Sequence, residues 1–260
     1  MCRVSPPPSG VNVQRPEMKW QNSCAVICRR QRPGVHSQTP VSTPSVHLAV
    51  YQKANVYGDA STAIASLNYL LVEDPAKYST YADTLALVYQ NTGNYVQCTN
   101  LVNELLKKDP EKESLLAMKA FSMKQLGMST ESADLYNRLY TKTNQYGYGL
   151  ELVQLQLGLQ RLAECVVTAN RLVAQEIAAE AKISVTKLDN KTTQPIGVKA
   201  FVYYVEGLAH NLAKDTEKAK AAIQKAVELE AGFELATNAL TTLQKQAEAP
   251  KESGSVTNEK

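Results

Sequence analysis

The side chains that make and break bonds are few in this chain, and their spacing does not assemble a reaction. Its three histidines, His36, His47 and His210, could ligate a metal or relay a proton. They lie far apart in sequence and form no metal-ligand or triad spacing. Cys24 and Cys28 stand four apart with no second pair to complete a zinc site. The odd count of five cysteines does not read as a disulfide framework. Cys98 and Cys165 fall on apolar stripes and read as small hydrophobes. There is no nucleophile elbow, no Gly-Lys-Ser/Thr phosphate loop and no dinucleotide fingerprint. Carboxylates such as Asp59, Asp109 and Glu111 occupy expected turns and helix starts, where they favour the helix dipole. The residues predict a non-catalytic protein with no metal and no cofactor. Recognition chemistry remains, carried by amides and aromatic rings.

Recognition needs a scaffold, and the chain builds one by repetition. The stretch YQNTGNYVQCTNLVNELLKKDP (89–110) matches ANVYGDASTAIASLNYLLVEDP (54–75) at a shift of 35 residues. Gly58 falls on Gly93, Asp59 on Asn94, Leu67 on Val102, and Asp74-Pro75 on Asp109-Pro110. A period near 34 residues marks a stacked helical repeat, in which one helix pair cannot bury its apolar face alone. Apolar residues at Ala82, Leu85, Ala86 and Tyr89 recur on one helical face.

Five units follow. Helices are expected over 46–57 and 60–72, then 81–91 and 95–107, with Gly58 and Gly93 ending the first helix of each pair cheaply in the left-handed conformation. The third unit spans 113–143 and turns at Gly127. The fourth pairs 148–158 with 162 to about 180 around Gln160-Arg161. Its first helix is expected to begin beyond Gly147 and Gly149, since an internal glycine costs about 1 kcal/mol. In the fifth unit, 198–233, Gly207 is the close-approach residue, and Ala219, Ile223, Ala226 and Val227 form the buried stripe. A last amphipathic segment, 233–245, covers the end of the stack. Tyr57, Tyr89 and Tyr136 read as core.

Turn to turn, the spacing jumps to 54 between Gln160 and Lys214. The surplus of about 20 residues contains KISVTKLDNKTTQPIGV, which predicts a β-hairpin of 182–188 with 191–196 about Asp189-Asn190. Asn190-Lys191-Thr192 is formally a glycosylation sequon.

These units resemble the tetratricopeptide repeat over roughly residues 44–245. The resemblance rests on Gly-[Asp/Asn]-x opening the second helix, a small residue three to five later, an aromatic or aliphatic residue four beyond, and a closing Asp-Pro. The first two units match closely and the fifth nearly so. The third and fourth lack the closing proline, and the fourth lacks the turn glycine. An inserted hairpin before the last unit resembles exported bacterial members of the family. The resemblance implies an all-α fold, an α-α superhelix that is a right-handed solenoid of helix hairpins, binding a protein or peptide segment in a concave groove lined by the first helices of the pairs.

In that register the groove face carries Gln52 and Asn55 in the first unit and Asp83, Leu87 and Gln90 in the second. It carries Phe121 and Lys124 in the third, Gln154 in the fourth, and Tyr204 and Asn211 in the fifth. Such a face suits an extended peptide held by amides and packed on Phe121 and Tyr204. The paired Lys and Asn with which some family members grip a C-terminal carboxylate are absent: Leu48, Gln52, Thr84, Ser114 and Met118 stand there.

Composition sets the alternatives. Residues 1–43 read as a disordered head rich in Pro and Arg, and residues 246–260 as a disordered tail. Residues 1–44 hold six basic side chains against one acidic, and the remainder carries 22 basic and 24 acidic, a net of −2. A repeat protein that reads RNA needs a basic groove, and only Lys124 supplies a cation here, which argues against nucleic acid as a partner; RNA binding by a helical repeat stands as the alternative function, and an accessory role in an envelope or secretion complex as a further one. No apolar run reaches the roughly 18 residues that span a bilayer. The head contains no usable signal peptide, since its apolar run, Cys24 to Cys28, is five long and falls short of an h-region. Residues 35–37 nonetheless resemble the small-residue end of a cleavage site, and the abrupt composition shift leads to the expectation that the head is not the natural start; the protein is then periplasmic if the natural amino terminus carries a signal peptide, and cytoplasmic as the sequence is given, and peptides from residues 1–30 in the native protein would refute the replaced start.

Overall fold

The computed structural model describes residues 45–248; the expected head and most of the expected tail lie outside the described residues, as do His36, Cys24 and Cys28. The described residues fall into two compact units, 45–139 and 140–248.

The first unit contains α1 (Val46–Tyr57), α2 (Ala60–Glu73), α3 (Tyr81–Asn91), α4 (Tyr95–Leu106), α5 (Glu113–Gln125) and most of α6 (Ser129–Thr143). The second contains α7 (Tyr146–Gly158), α8 (Leu162–Val173), β1 (Lys182–Thr186), β2 (Thr193–Gly197), α9 (Val198–Leu212), α10 (Thr216–Leu229) and α11 (Glu234–Glu248). The fold class is all-α, an α-α superhelix of helix hairpins, with one two-stranded antiparallel sheet before the last helices.

One turn closes all five pairs. A residue one or two positions past the first helix is left-handed each time: Gly58, Gly93 and Gly127 at φ 68°, 77° and 79°, and Gln160 and Lys214 at 57° and 65°. The following N–H reaches back five residues, from Asp59 to Ala54, Asn94 to Tyr89, Met128 to Met123, Arg161 to Gln156 and Asp215 to His210, at 2.8–2.9 Å. The left-handed residue itself donates three residues back. This pair of hydrogen bonds is the Schellman closure, and it satisfies carbonyls that a helix end leaves orphaned.

Past the turn, Asp59 and Asp215 cap the second helix through Thr62 N–H and Lys218 N–H. The two helices then cross at small residues. Ser132 Oγ donates to the Ala120 carbonyl at 2.7 Å, and Cys165 Sγ lies 3.5 Å from the Val153 carbonyl. A Cβ on Gly207 would collide with Ile223 and stand 3.1 Å from the Ala219 carbonyl. Leu67, Leu70, Tyr78 and Leu85 form one core cluster and Ala86, Cys98, Val102 and Leu115 another.

The structure corrects three expectations. Helix α7 starts at Tyr146 and includes both glycines. Gly149 belongs there because Tyr140 and Leu172 pack onto it, leaving no room for a Cβ. Helix α8 stops at Val173, seven residues short of Glu180. Continuing its stripe from Cys165, Ala169 and Leu172 would bury Glu176 and Glu180, and instead Gln175 Nε2 turns to the Tyr140 hydroxyl (3.0 Å) and Asn144 Oδ1 (2.8 Å). Tyr57 is 74% exposed, since it adjoins the turn rather than the stripe.

The hairpin forms with shorter strands than expected, pairing Lys182 with Gly197 and Thr186 with Thr193. Ile183, Val185 and Ile196 face inward and are buried. At the tip Asn190 is left-handed at φ 55°. Asp189 accepts from Lys191 N–H, Thr192 N–H and the Thr192 hydroxyl, and these bonds, the Thr192 N–H foremost, hold its carboxyl at about 2.

Candidate functional site

Each turn hands the chain from a first helix to a second through the same pair of hydrogen bonds. Within the first unit α3 touches α5, and within the second α7 touches α9.

In residues 45–139, Gln52 and Asn55 are exposed on α1, and Leu87 is 37% exposed on α3. Asp83 is half-buried and ion-paired with Lys112, which immediately precedes α5. That pair ties adjacent first helices together across the candidate face. Phe121 is half-buried and packs edge-on against Tyr95 with ring centroids 6.0 Å apart. Lys124 is half-buried. Gln90 is only 5% exposed, so its amide is sealed inside the packing and is not presented on the face.

In residues 140–248, Gln154 is half-buried and donates to the Leu150 carbonyl of its own helix at 2.8 Å. Asn211 is exposed near the end of α9. Tyr204 stacks edge-on against Phe233 at 5.0 Å, and burial pushes its phenol up. Its ring is therefore committed in part to the packing between α9 and the start of α11.

Three features escaped the sequence reading. Lys112, the partner of Asp83, stands just outside α5, where helix periodicity gives no signal. On α9 the Glu206 carboxylate lies 3.8 Å from His210 Nε2, both side chains mostly buried. Burial pushes Glu206 up, an effect that His210 and Lys225 partly offset. A glutamate on an apolar stripe was the available clue. The third is a polar row on α11, Thr237, Asn238 and Thr241, opposite its buried residues Ala236 and Leu243.

Cys98 and Cys165 are fully buried, and burial raises both thiols, Cys165 to about 12, so neither is a nucleophile at neutral pH. Among the described residues no three His, Cys, Asp or Glu side chains converge as a metal site, and no helix is long and apolar enough to cross a membrane.

Helix pairs of this period, closed by one turn and crossing at small residues, define a tetratricopeptide-like repeat protein. Solved structures of such proteins share the fold. YrrB, described as a TPR protein with an unusual peptide-binding site, is 15% identical, with 75% of this chain and 90% of that chain covered at a TM-score of 0.57. A MamA crystal structure is 14% identical, with 72% and 91% covered at 0.55. A double mutant of MamA RS-1 is 15% identical, with 65% and 85% covered at 0.53. At these identities the likeness is one of fold. No protein-family model and no curated protein matches the sequence.

Proposed function

We propose that the protein is a non-catalytic interaction scaffold that binds a peptide segment of another protein along the first-helix faces. The observation that carries this reading is the face of α1, α3 and α5, where the exposed amides of Gln52 and Asn55 share a register with exposed Leu87 and half-buried Phe121. An extended peptide needs amides for its backbone and apolar footholds for its side chains. Asn211 on α9 extends the same chemistry within residues 140–248. Peptide binding by YrrB, a neighbour in fold, supports the class of ligand. Phe121 and Tyr204 remain the proposed packing platforms, with Tyr204 offering only the part of its ring that Phe233 leaves uncovered. The resemblance to exported bacterial proteins is part of this proposal, and sequencing the amino terminus of the native protein tests it.

A photo-crosslinker placed at Leu87 or Asn211, compared with one at Ser61 on the outer face of α2, tests the groove in native lysate. Partner adducts from the first two sites, weakened by Phe121→Ala, support it. Equal adducts from Ser61 contradict it.

A further inference from the structure

The β-hairpin does more than fill the gap in the repeat period. Between it and α11 lies a shallow, open cleft of about 490 Å³. Lys187 and Gln194 line one wall, from the hairpin; Glu234, Thr237, Asn238 and Thr241 line the other, from α11.

The walls are fixed to each other. With its amide oriented to satisfy both ends, Gln194 donates to the Gly232 carbonyl and accepts from Glu234 N–H, each at 3.1 Å. Gly197 N–H reaches Glu230 Oε2 at 3.4 Å. A cleft preformed in this way spares a ligand the cost of ordering it.

Its polar groups are unevenly spent. The hydroxyls of Thr237 and Thr241 donate to their own helix, at the Phe233 and Thr237 carbonyls. They therefore offer methyls and acceptor lone pairs only. The Asn238 amide, by contrast, has no partner among the described residues and can both donate and accept. Among the described residues neither Lys187 Nζ nor the Glu234 carboxylate makes an ion pair, although the charge of Lys187 also acts on Asp189, and Glu234 Oε2 is buried with no donor. A buried carboxylate oxygen without a donor is costly, and the broad terminal torsion of glutamate lets a donor in the cleft take either oxygen.

We infer that this cleft binds a short peptide with both ends free, its ammonium on Glu234, its carboxylate on Lys187 and its backbone amides on Asn238. A cation on one wall and an anion on the other match a zwitterion, and an amide between them matches a peptide bond. Among the described residues no aromatic ring lines the cleft, so they supply no stacking platform of the kind a sugar ring or nucleobase would use. The site is independent of the groove reading and can fail or survive without it.

The test is titration of the full chain with tri-alanine, followed by calorimetry and by the amide resonances of Thr237, Asn238 and Thr241. Free tri-alanine is expected to bind and to move those resonances. Its N-acetyl and C-amide forms are each expected to bind about tenfold more weakly, as loss of one charged hydrogen bond implies. Glu234→Gln should weaken the free peptide about as much as acetylation does and add nothing for the acetylated one; Lys187→Met should pair in the same way with the C-amide. Circular dichroism of each variant checks that the fold is intact, and Lys187, on the hairpin, is independent of the start of α11. Absence of binding, equal binding of blocked and free peptides, or binding that leaves the α11 resonances unmoved would overturn the proposal.

Discussion

The left-handed turns that close the helix pairs are held by glycine in residues 45–139 and by other residues in residues 140–248. In the first unit glycine stands at the turns, with open space where a Cβ would go. In the second, Gln160 and Lys214 hold the same left-handed turns. Two of its glycines sit inside helices at close contacts instead, Gly149 beneath Leu172 and Tyr140, Gly207 against Ile223. The comparison separates two sources of one geometry. Backbone freedom makes the turn in the first unit. In the second, packed helices on either side force an ordinary residue into a conformation that costs about 1–2 kcal/mol, and the close crossings at Gly149 and Gly207 help supply it.

Substitutions that move one unit toward the other should break the contrast in a graded way. The largest effect is expected at Gly207→Val, which must displace Ile223 and should destabilise by about 3 kcal/mol through overpacking; urea denaturation measures it. Next is Ala63→Leu at the crossing of α1 and α2, where Ala63 is 4% exposed. It should cost about 1–3 kcal/mol, while Ser61→Leu on the exposed face is close to neutral. Equal effects would mean that the register is wrong. Gly93→Ala meets no neighbour and should lose only about 1 kcal/mol, from its left-handed φ alone. Smaller and opposite in sign, Gln160→Gly and Lys214→Gly should each gain about 0.5 kcal/mol, strain relief less the added freedom of the unfolded chain.

The smallest effect is local to the hairpin. Asp189 has a folded pKa of about 2 against 3.8 unperturbed. A depressed acid contributes order that is complete above about pH 4 and is lost as pH falls toward 2. The amide shifts of Lys191 and Thr192 should follow that titration, and Asp189→Asn should abolish it.

The repeat was legible because it rests on backbone rules: Gly-Asp and Gly-Asn punctuate, and apolar residues recur every three or four. The hairpin was legible from β-branched alternation and Asp189-Asn190. The end of α8 was not, because Ala178, Ala179 and Ala181 favour helix locally, whereas the chain leaves once Glu176 and Glu180 would be buried. Gly149 misled for the related reason that propensity carries no information about a tyrosine waiting nine residues upstream. Of the candidate face, the register was readable and the occupancy was not. Gln90 and Leu87 look alike in a helical projection, yet one is 5% exposed and the other 37%. The cleft beside α11 was invisible, since it depends on Gln194 bridging to a turn nearly forty residues further along.

The shared turn is the claim on which repeat, register and face all depend. Backbone torsions of Gln160 and Lys214 from NMR three-bond couplings and chemical shifts test it most directly, alongside slow exchange of the Arg161 and Asp215 amides. Positive φ at both residues with both amides protected is the predicted result. Negative φ at either, with its following amide exchanging freely, would contradict the account.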